Sequence, residues 1–354
     1  MKIGIVLHPY GEEKPAGLGR AILELTRSLI AAYPEHEYTI FLKDARKLAP
    51  HFSGNVRVET LGGGIFWRER MRAMPRLDAY LFNTPVLPLF FCPQKSVVIA
   101  LDFAYLYERP RGVRDLARHL LLTWYHARSL RRADRIIAIS EATKKDIIKF
   151  FGIRDERISV VYLGVRDMDG IVEERCAAPE KFFLYVGVLK ERKNVERIIG
   201  AFARAASRVP QHHLILAGKG EGAYPEKLRR RASEGAAAQR IHFVGYVTDG
   251  ERAYLYRRTT ACIFPSIIEG FGFPVLEAMS AGAPVVTSNV SSLPELAGDA
   301  AVLVNPLAEE EIASAMVRLA TDETLRRECI RKGRMRSRLF SWEKAARECM
   351  KILL

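Results

Sequence analysis

At 354 residues, 49% hydrophobic and 27% charged, the chain is too long for one ordinary core and has the composition of a soluble globular protein of two domains. No apolar run reaches the ~20 residues of a membrane-spanning helix, and the five cysteines (Cys92, Cys176, Cys262, Cys329, Cys349) include no CxxC pair and no histidine at metal-ligand spacing, so neither a disulfide framework nor a zinc site is indicated and ordinary buried thiols are expected. The net charge of +14 is uneven, with about +9 in residues 1–165 and about +5 in the rest.

The opening MKIGIVLHPYG lacks the apolar core and cleavage site of an export signal and reads as a strand, which predicts a cytoplasmic protein. A glycine pair, Gly17 and Gly19, precedes a helix expected over Arg20–Ala32. The strands YTIFL, VRVETL, AYLFN, SVVIAL, RIIAIS and ISVVYL follow, with a helix over Glu141–Phe151. Between them Arg109–Arg135 reads as a basic helix with an apolar stripe that includes Leu116, Leu120, Leu121 and Trp124. A solvated face, a surface for anionic lipid headgroups or a phosphorylated lipid acceptor, and nucleic acid all suit such charge; no nucleic-acid motif accompanies it, so nucleic acid is not expected as a partner. The polar stretch Arg166–Glu180 reads as a linker, placing one domain at 1–168 and a second at 169–340.

In the second half KFFLYVGVL, HHLILAG, IHFVGYV, ACIFPS, PVVTS and AVLVN repeat the alternation of strand and helix. The fold class expected is α/β, two doubly wound Rossmann-like sheets with a cleft between them and ligands beyond the carboxyl ends of the strands. Asp167 and Asp169 form a D-x-D, but it lies in the linker with no supporting ligands, and no metal is expected there. GKGEG, residues 218–222, lacks the ending of a Walker loop and reads as a turn.

The chemistry concentrates in PSIIEGFGFPVLEAMSAGAPVV, Pro265–Val286, where a strand runs through a glycine-rich turn into a helix. Gly270 and Gly272 let the backbone pass close to a ligand, Pro274 suits a first helical turn, and the amides of that helix start can receive a diphosphate. Glu269 in the loop and Glu277 in the helix are acceptors suited to vicinal sugar and ribose hydroxyls.

EGFGFPVLE resembles the E-x7-E signature of retaining family 4 glycosyltransferases, which have the GT-B fold, and EAMSAGAPVVTSN continues it. LYVGVLKERKNVERIIGAF, Leu184–Phe202, is similar to the family's strand, turn and helix with a phosphate-binding Arg/Lys pair, here Arg192 and Lys193 after Gly187. Many relatives carry arginine directly after that glycine, where this chain has Val188, and Arg192 is the candidate substitute. PAGLGRAILELTRSL resembles the family's first glycine turn, in which Gly17 and Gly19 bring backbone amides to the donor. ISEATKKDI, VVYLGV and FSWEKAARECMKIL also look like family landmarks, the last implying a final helix, about 341–354, that packs back on the first domain. Where many relatives have His-Asp this chain has Leu101-Asp102; Asp102 is retained as a site candidate, with a structural Asp at a strand end as the alternative.

The resemblance implies a metal-independent, cofactor-free transfer with retention. Arg192 and Lys193 would neutralise the donor diphosphate, Glu277 would hold the ribose, and Glu269 with the backbone of Phe271, Gly272 and Phe273 would hold the donor sugar. The YVGxLxxRKN turn is similar to bacterial mannosyltransferases of surface-polysaccharide assembly, so GDP-mannose is the leading donor, with UDP-hexoses next, and a glycan or lipid-linked acceptor is expected. A nucleotide-sugar epimerase and a catalytically silent nucleotide-sugar-binding subunit are the alternative functions.

Overall fold

Runs such as SVVIA and HLILA carry no polar alternation because both faces of a parallel sheet are covered by helices; Ser96–Ala100 is buried along its whole length. The computed structural model describes residues 1–8, 17–44, 52, 54–64, 66–110 and 112–354, without the side chains of residues 17 and 18. They form two units, one of Met1–Gly164 with Phe340–Leu354 and one of Val165–Leu339.

The first unit contains β1 (Lys2–Val6), α1 (Gly17–Ala32), β2 (Glu37–Leu42), β3 (Val56–Thr60), β4 (Ala79–Phe82), β5 (Ser96–Ala100), α2 (Val113–Arg132), β6 (Arg135–Ala138), α3 (Glu141–Phe151) and β7 (Ile158–Val160). Its strands are parallel in the order β3-β2-β1-β4-β5-β6-β7, with Ile5 opposite both Ile40 and Leu81. The second unit contains β8 (Phe182–Val186), α4 (Val195–Ala205), β9 (His213–Ala217), α5 (Tyr224–Ser233), β10 (Ile241–Gly245), α6 (Asp249–Arg258), β11 (Ala261–Phe264), α7 (Phe273–Ser280), β12 (Val285–Ser288), α8 (Leu293–Ala297), β13 (Val302–Val304), α9 (Glu309–Thr321) and α10 (Glu323–Ser337). Its sheet is parallel in the order β10-β9-β8-β11-β12-β13. The last helix, α11 (Trp342–Leu353), belongs to the first unit and packs on α1. Ser341 caps it by accepting from Lys344 N at 3.2 Å. The entry fits only because residue 164 is glycine, since a Cβ there would stand 2.4 Å from the Trp342 nitrogen.

Four expectations change. Helix α1 starts at Gly17, so both glycines lie in its first turn, while Pro15 and Ala16 lie outside the described residues. The basic helix is shorter than 109–135 and buries only His126, Ser129 and Leu130; Leu116, Leu120, Leu121 and Trp124 face outward. Cys92 and Cys176 are only half-buried, whereas Cys262, Cys329 and Cys349 are buried.

The division between units falls after Gly164, because much of the expected linker is anchored to the second unit. Met168 is fully buried, and Arg257 of α6 donates to the carbonyls of Met168, Asp169 and Ile171 at 2.6, 3.0 and 3.2 Å. Glu173 closes the clamp, 2.8 Å from both Arg257 and Arg258. The D-x-D serves the same turn: Asp167 Oδ1 accepts from Asp169 N at 3.0 Å. Arg257→Met should lower the stability of the second unit by about 1.5–3 kcal/mol, read as a fall in its thermal transition. An unchanged transition would show that the carbonyls find water at no cost.

Candidate functional site

Strands β8 and β11 are neighbours in the second sheet, so the turns leaving their carboxyl ends emerge side by side although some 76 residues separate them. The turn after β8 is fixed first: Gly187 N donates to Ala217 O and Leu189 N to Lys219 O, both at 2.9 Å, the second within the segment read as the GKGEG turn. The chain then makes a single 3-10 turn, Glu191–Lys193, and enters α4 through Asn194 in the left-handed region at φ 63°. Asparagine tolerates that conformation better than most residues. Asn194 is 1% exposed, and its side-chain amide donates to Pro265 O at 2.9 Å and Pro306 O at 2.6 Å. The basic turn is thereby tied to the loop after β11.

That loop brings Glu269 to both cations. Its carboxylate accepts from Arg192 Nη1 at 3.1 Å and from Lys193 Nζ at 2.5 Å, while Arg192 also donates to Ile268 O at 3.1 Å. Lys193 Nζ lies 5.1 Å from the centroid of the Phe264 ring, which stacks on Tyr185. Glu269 is 8% exposed. Burial alone would raise its carboxyl pKa, but the charges of Lys193 and then Arg192 outweigh burial and hold it below the usual carboxylate range. Two serines fix the backbone beneath it: Ser291 Oγ accepts from Glu269 N at 3.0 Å, and Ser292 Oγ donates to Glu269 O at 3.1 Å and to Phe271 O.

Glycine 272 precedes α7 at φ 137°, where a side chain would be strained and where a Cβ would stand 2.7 Å from Leu293. No side chain caps this helix start; Pro274 occupies its first turn and the Phe271 and Phe273 rings meet at 5.0 Å. Gly270 and Phe271 are buried and Phe273 is half-buried. Glu277, one turn further, has a different cation: Arg252 Nη1 of α6 lies 3.6 Å from its carboxylate and Arg252 Nη2 lies 3.0 Å from Asp249. The two acids of the E-x7-E thus each face a basic partner of their own.

In the first unit Asp102 is exposed and accepts from Ala104 N at 3.3 Å, and Leu101 is buried. Gly19 is buried in the first turn of α1. Sequence reasoning missed Asn194, Arg252 and the serine pair. Asparagine at the boundary of turn and helix in RKNVERI was a usable signal. Ser292 was harder, since a serine ahead of a Leu-Pro helix start reads as its cap, whereas here its hydroxyl goes to the glycine loop. Nothing in DGERAYLYRR marked Arg252 among its arginines.

Two units, each a parallel sheet covered by helices, are the architecture of the GT-B fold. Residues 172–336 match the family described as Glycosyl transferases group 1 and residues 95–167 match Glycosyltransferase Family 4, so each half of the chain is similar to a glycosyltransferase family. The serotype-specific mannosyltransferase WbdA of Escherichia coli is 29% identical over 282 residues, covering 76% of this chain and 34% of WbdA, so the chain spans about a third of that relative's length. O-antigen chain mannosyltransferase B of Escherichia coli is 28% identical, covering 78% of this chain and 74% of that protein. Among solved structures, Anabaena HepE in complex with UDP-glucose matches with a TM-score of 0.73 at 19% identity over 100% of this chain and 99% of that one.

Two outcomes follow from the geometry. Asn194→Ala should destabilise the second unit by about 2–4 kcal/mol, and Asn194→Gly by less because it keeps the left-handed backbone; equal losses in thermal melts would contradict the conformational part. Because the folded pKa of Glu269 is depressed, its ion pairs stabilise the fold above the unfolded carboxyl pKa of about 4.5 and lose that contribution as pH falls through the lower folded value. The stability of Glu269→Gln should therefore depend less steeply on pH in that acid window, measured by denaturant melts across it.

Proposed function

We propose that the chain transfers a hexose from a nucleotide-sugar donor to a glycan or lipid-linked acceptor, with retention at the anomeric carbon and without a metal ion. The observation that carries this reading is the placement of Arg192 and Lys193 around Glu269, beside the start of α7. A donor diphosphate offers those cations a second anionic partner, and the charge on its phosphate grows as the glycosidic bond breaks, when fixed cations and helix-start amides lower the barrier most. Glu269 and the backbone of Phe271, Gly272 and Phe273 hold the sugar hydroxyls, and Glu277, oriented by Arg252, holds the ribose. The departing phosphate oxygen then takes the acceptor proton, a role for which no side chain stands out. The metal is dispensable because the two side-chain cations supply its charge.

Mannose from GDP-mannose is the leading donor, on the strength of the mannosyltransferase relatives, with a UDP-hexose second, on the strength of the UDP-glucose complex of HepE. Such acceptors place the work at the cytoplasmic face of a membrane in polysaccharide assembly, with the basic first unit toward anionic lipid. The burial of Leu101 and the local role of Asp102 favour, as a second reading, a silent donor-binding subunit or an epimerase.

A thermal-shift screen of nucleotide sugars identifies the donor, since a ligand at one hundred times its Kd stabilises the folded state by about 2.7 kcal/mol. Nucleotide release and the configuration of the nucleotide sugar, followed with and without an acceptor, then separate the readings: a transferase frees nucleotide when the acceptor is present, an epimerase changes the sugar's configuration with no acceptor and no net release, and a silent subunit does neither. For a transferase, Lys193→Met should lower kcat by about 10²–10³-fold with the donor still bound. Undiminished turnover in that variant would remove the cation from the mechanism.

A further inference from the structure

The outward face of α2 has no counterpart in a helix that only covers a sheet. Its inward face is accounted for by His126, Ser129 and Leu130. Val113, Leu116, Leu120, Leu121 and Trp124 are 85, 46, 58, 65 and 53% exposed, and their spacing places all five on one side of the helix, away from those buried residues. An exposed stripe of this size is uncommon on a monomeric surface and marks an interaction site.

Charge selects the partner. Arg114 and Arg118 flank the stripe, and Arg128 and Arg131 extend the same face toward the carboxyl end, all of them exposed; Asp115, the one acid of α2, lies on the other side. Arg128 sits 5.9 Å from the Trp124 ring, and with Arg132 it grips the carbonyl of Leu89 at 3.1 Å. The next residue, Phe90, is 70% exposed and meets Phe66, 56% exposed, at 5.8 Å between ring centroids. Apolar side chains, exposed aromatic rings and arginines on one face are the composition of a helix that lies in a bilayer interface, with rings at headgroup depth and guanidinium groups on lipid phosphates. An acidic protein would satisfy the arginines without covering the stripe, and a second copy would bring like charges together.

We infer that the outward face of α2, continued by Phe66 and Phe90, docks the protein on an anionic phospholipid bilayer. The docking extends the membrane-face placement proposed above, and its test reads lipid binding alone, so it stands or fails separately from the donor site. Full-length protein is sedimented with phosphatidylcholine vesicles with and without phosphatidylglycerol, and tryptophan emission is recorded, with Trp124→Phe as control. Binding should be at least about tenfold tighter with the anionic lipid and weaken with salt, and Trp124 emission should shift to shorter wavelength. Leu120→Ser/Leu121→Ser/Trp124→Ser should lose binding to anionic vesicles by about tenfold or more while keeping the thermal transition, since these side chains are exposed. Arg114→Gln/Arg118→Gln should weaken binding to anionic vesicles and leave the residual binding to neutral ones. The inference is overturned if anionic vesicles are not bound, if both vesicle types are bound equally, or if the triple variant binds as wild type does. It is also overturned if wild-type protein forms a dimer that the triple variant abolishes while neither binds vesicles.

Discussion

A buried carboxylate held between two cations sets the terms for the second unit. Removing Glu269 from water costs several kcal/mol, and only close, well-directed partners return that cost; Arg192 and Lys193 do so from one short turn. Removing one partner of a buried pair typically costs about 3–5 kcal/mol, because the other charge stays buried and unmatched. Such a cluster holds charge in reserve. One carboxylate offsets one of its two positive charges at rest, and the diphosphate proposed above would meet a site whose geometry is already built.

The fold supplies that geometry through one topological fact, the adjacency of β8 and β11. Parallel strands deliver their turns to the same edge of the sheet, and Asn194 binds the two turns together at the backbone through Pro265. From the far side, the serines ahead of α8 hold the glycine loop. Three segments distant in sequence are thus locked by hydrogen bonds to main-chain atoms, which fix position more firmly than contacts between mobile side chains. Arg252 repeats the device around Glu277, again pairing an acid of the loop and helix with a cation from another element.

The two sheets were legible because each strand is a short apolar run between amphipathic stretches, and the glycine loop was legible because its residue types have few other uses in that order. Charge pairing was not. A string shows that Arg192, Lys193 and Glu269 are charged, but their contact depends on strand order, which periodicity does not specify. The linker was misjudged for a related reason: Arg166–Glu180 is polar in composition, yet its carbonyls are gripped by Arg257, some 86 residues on. The apolar stripe of α2 was visible as a pattern, and only its outward direction required coordinates. Leu101-Asp102 was recognisable as a departure, and the structure gives its aspartate a local turn to close.

The account rests on cations that pass from an internal carboxylate to a diphosphate, and calorimetric titration with GDP and UDP tests it most directly, with the matching nucleosides as controls. Arg192→Met/Lys193→Met should weaken the bound diphosphate by about tenfold or more and leave nucleoside affinity unchanged, while Glu269→Gln, which removes the internal negative charge facing both cations, should bind the diphosphate at least as tightly as wild type. Equal diphosphate affinity in the double variant and wild type would contradict the account.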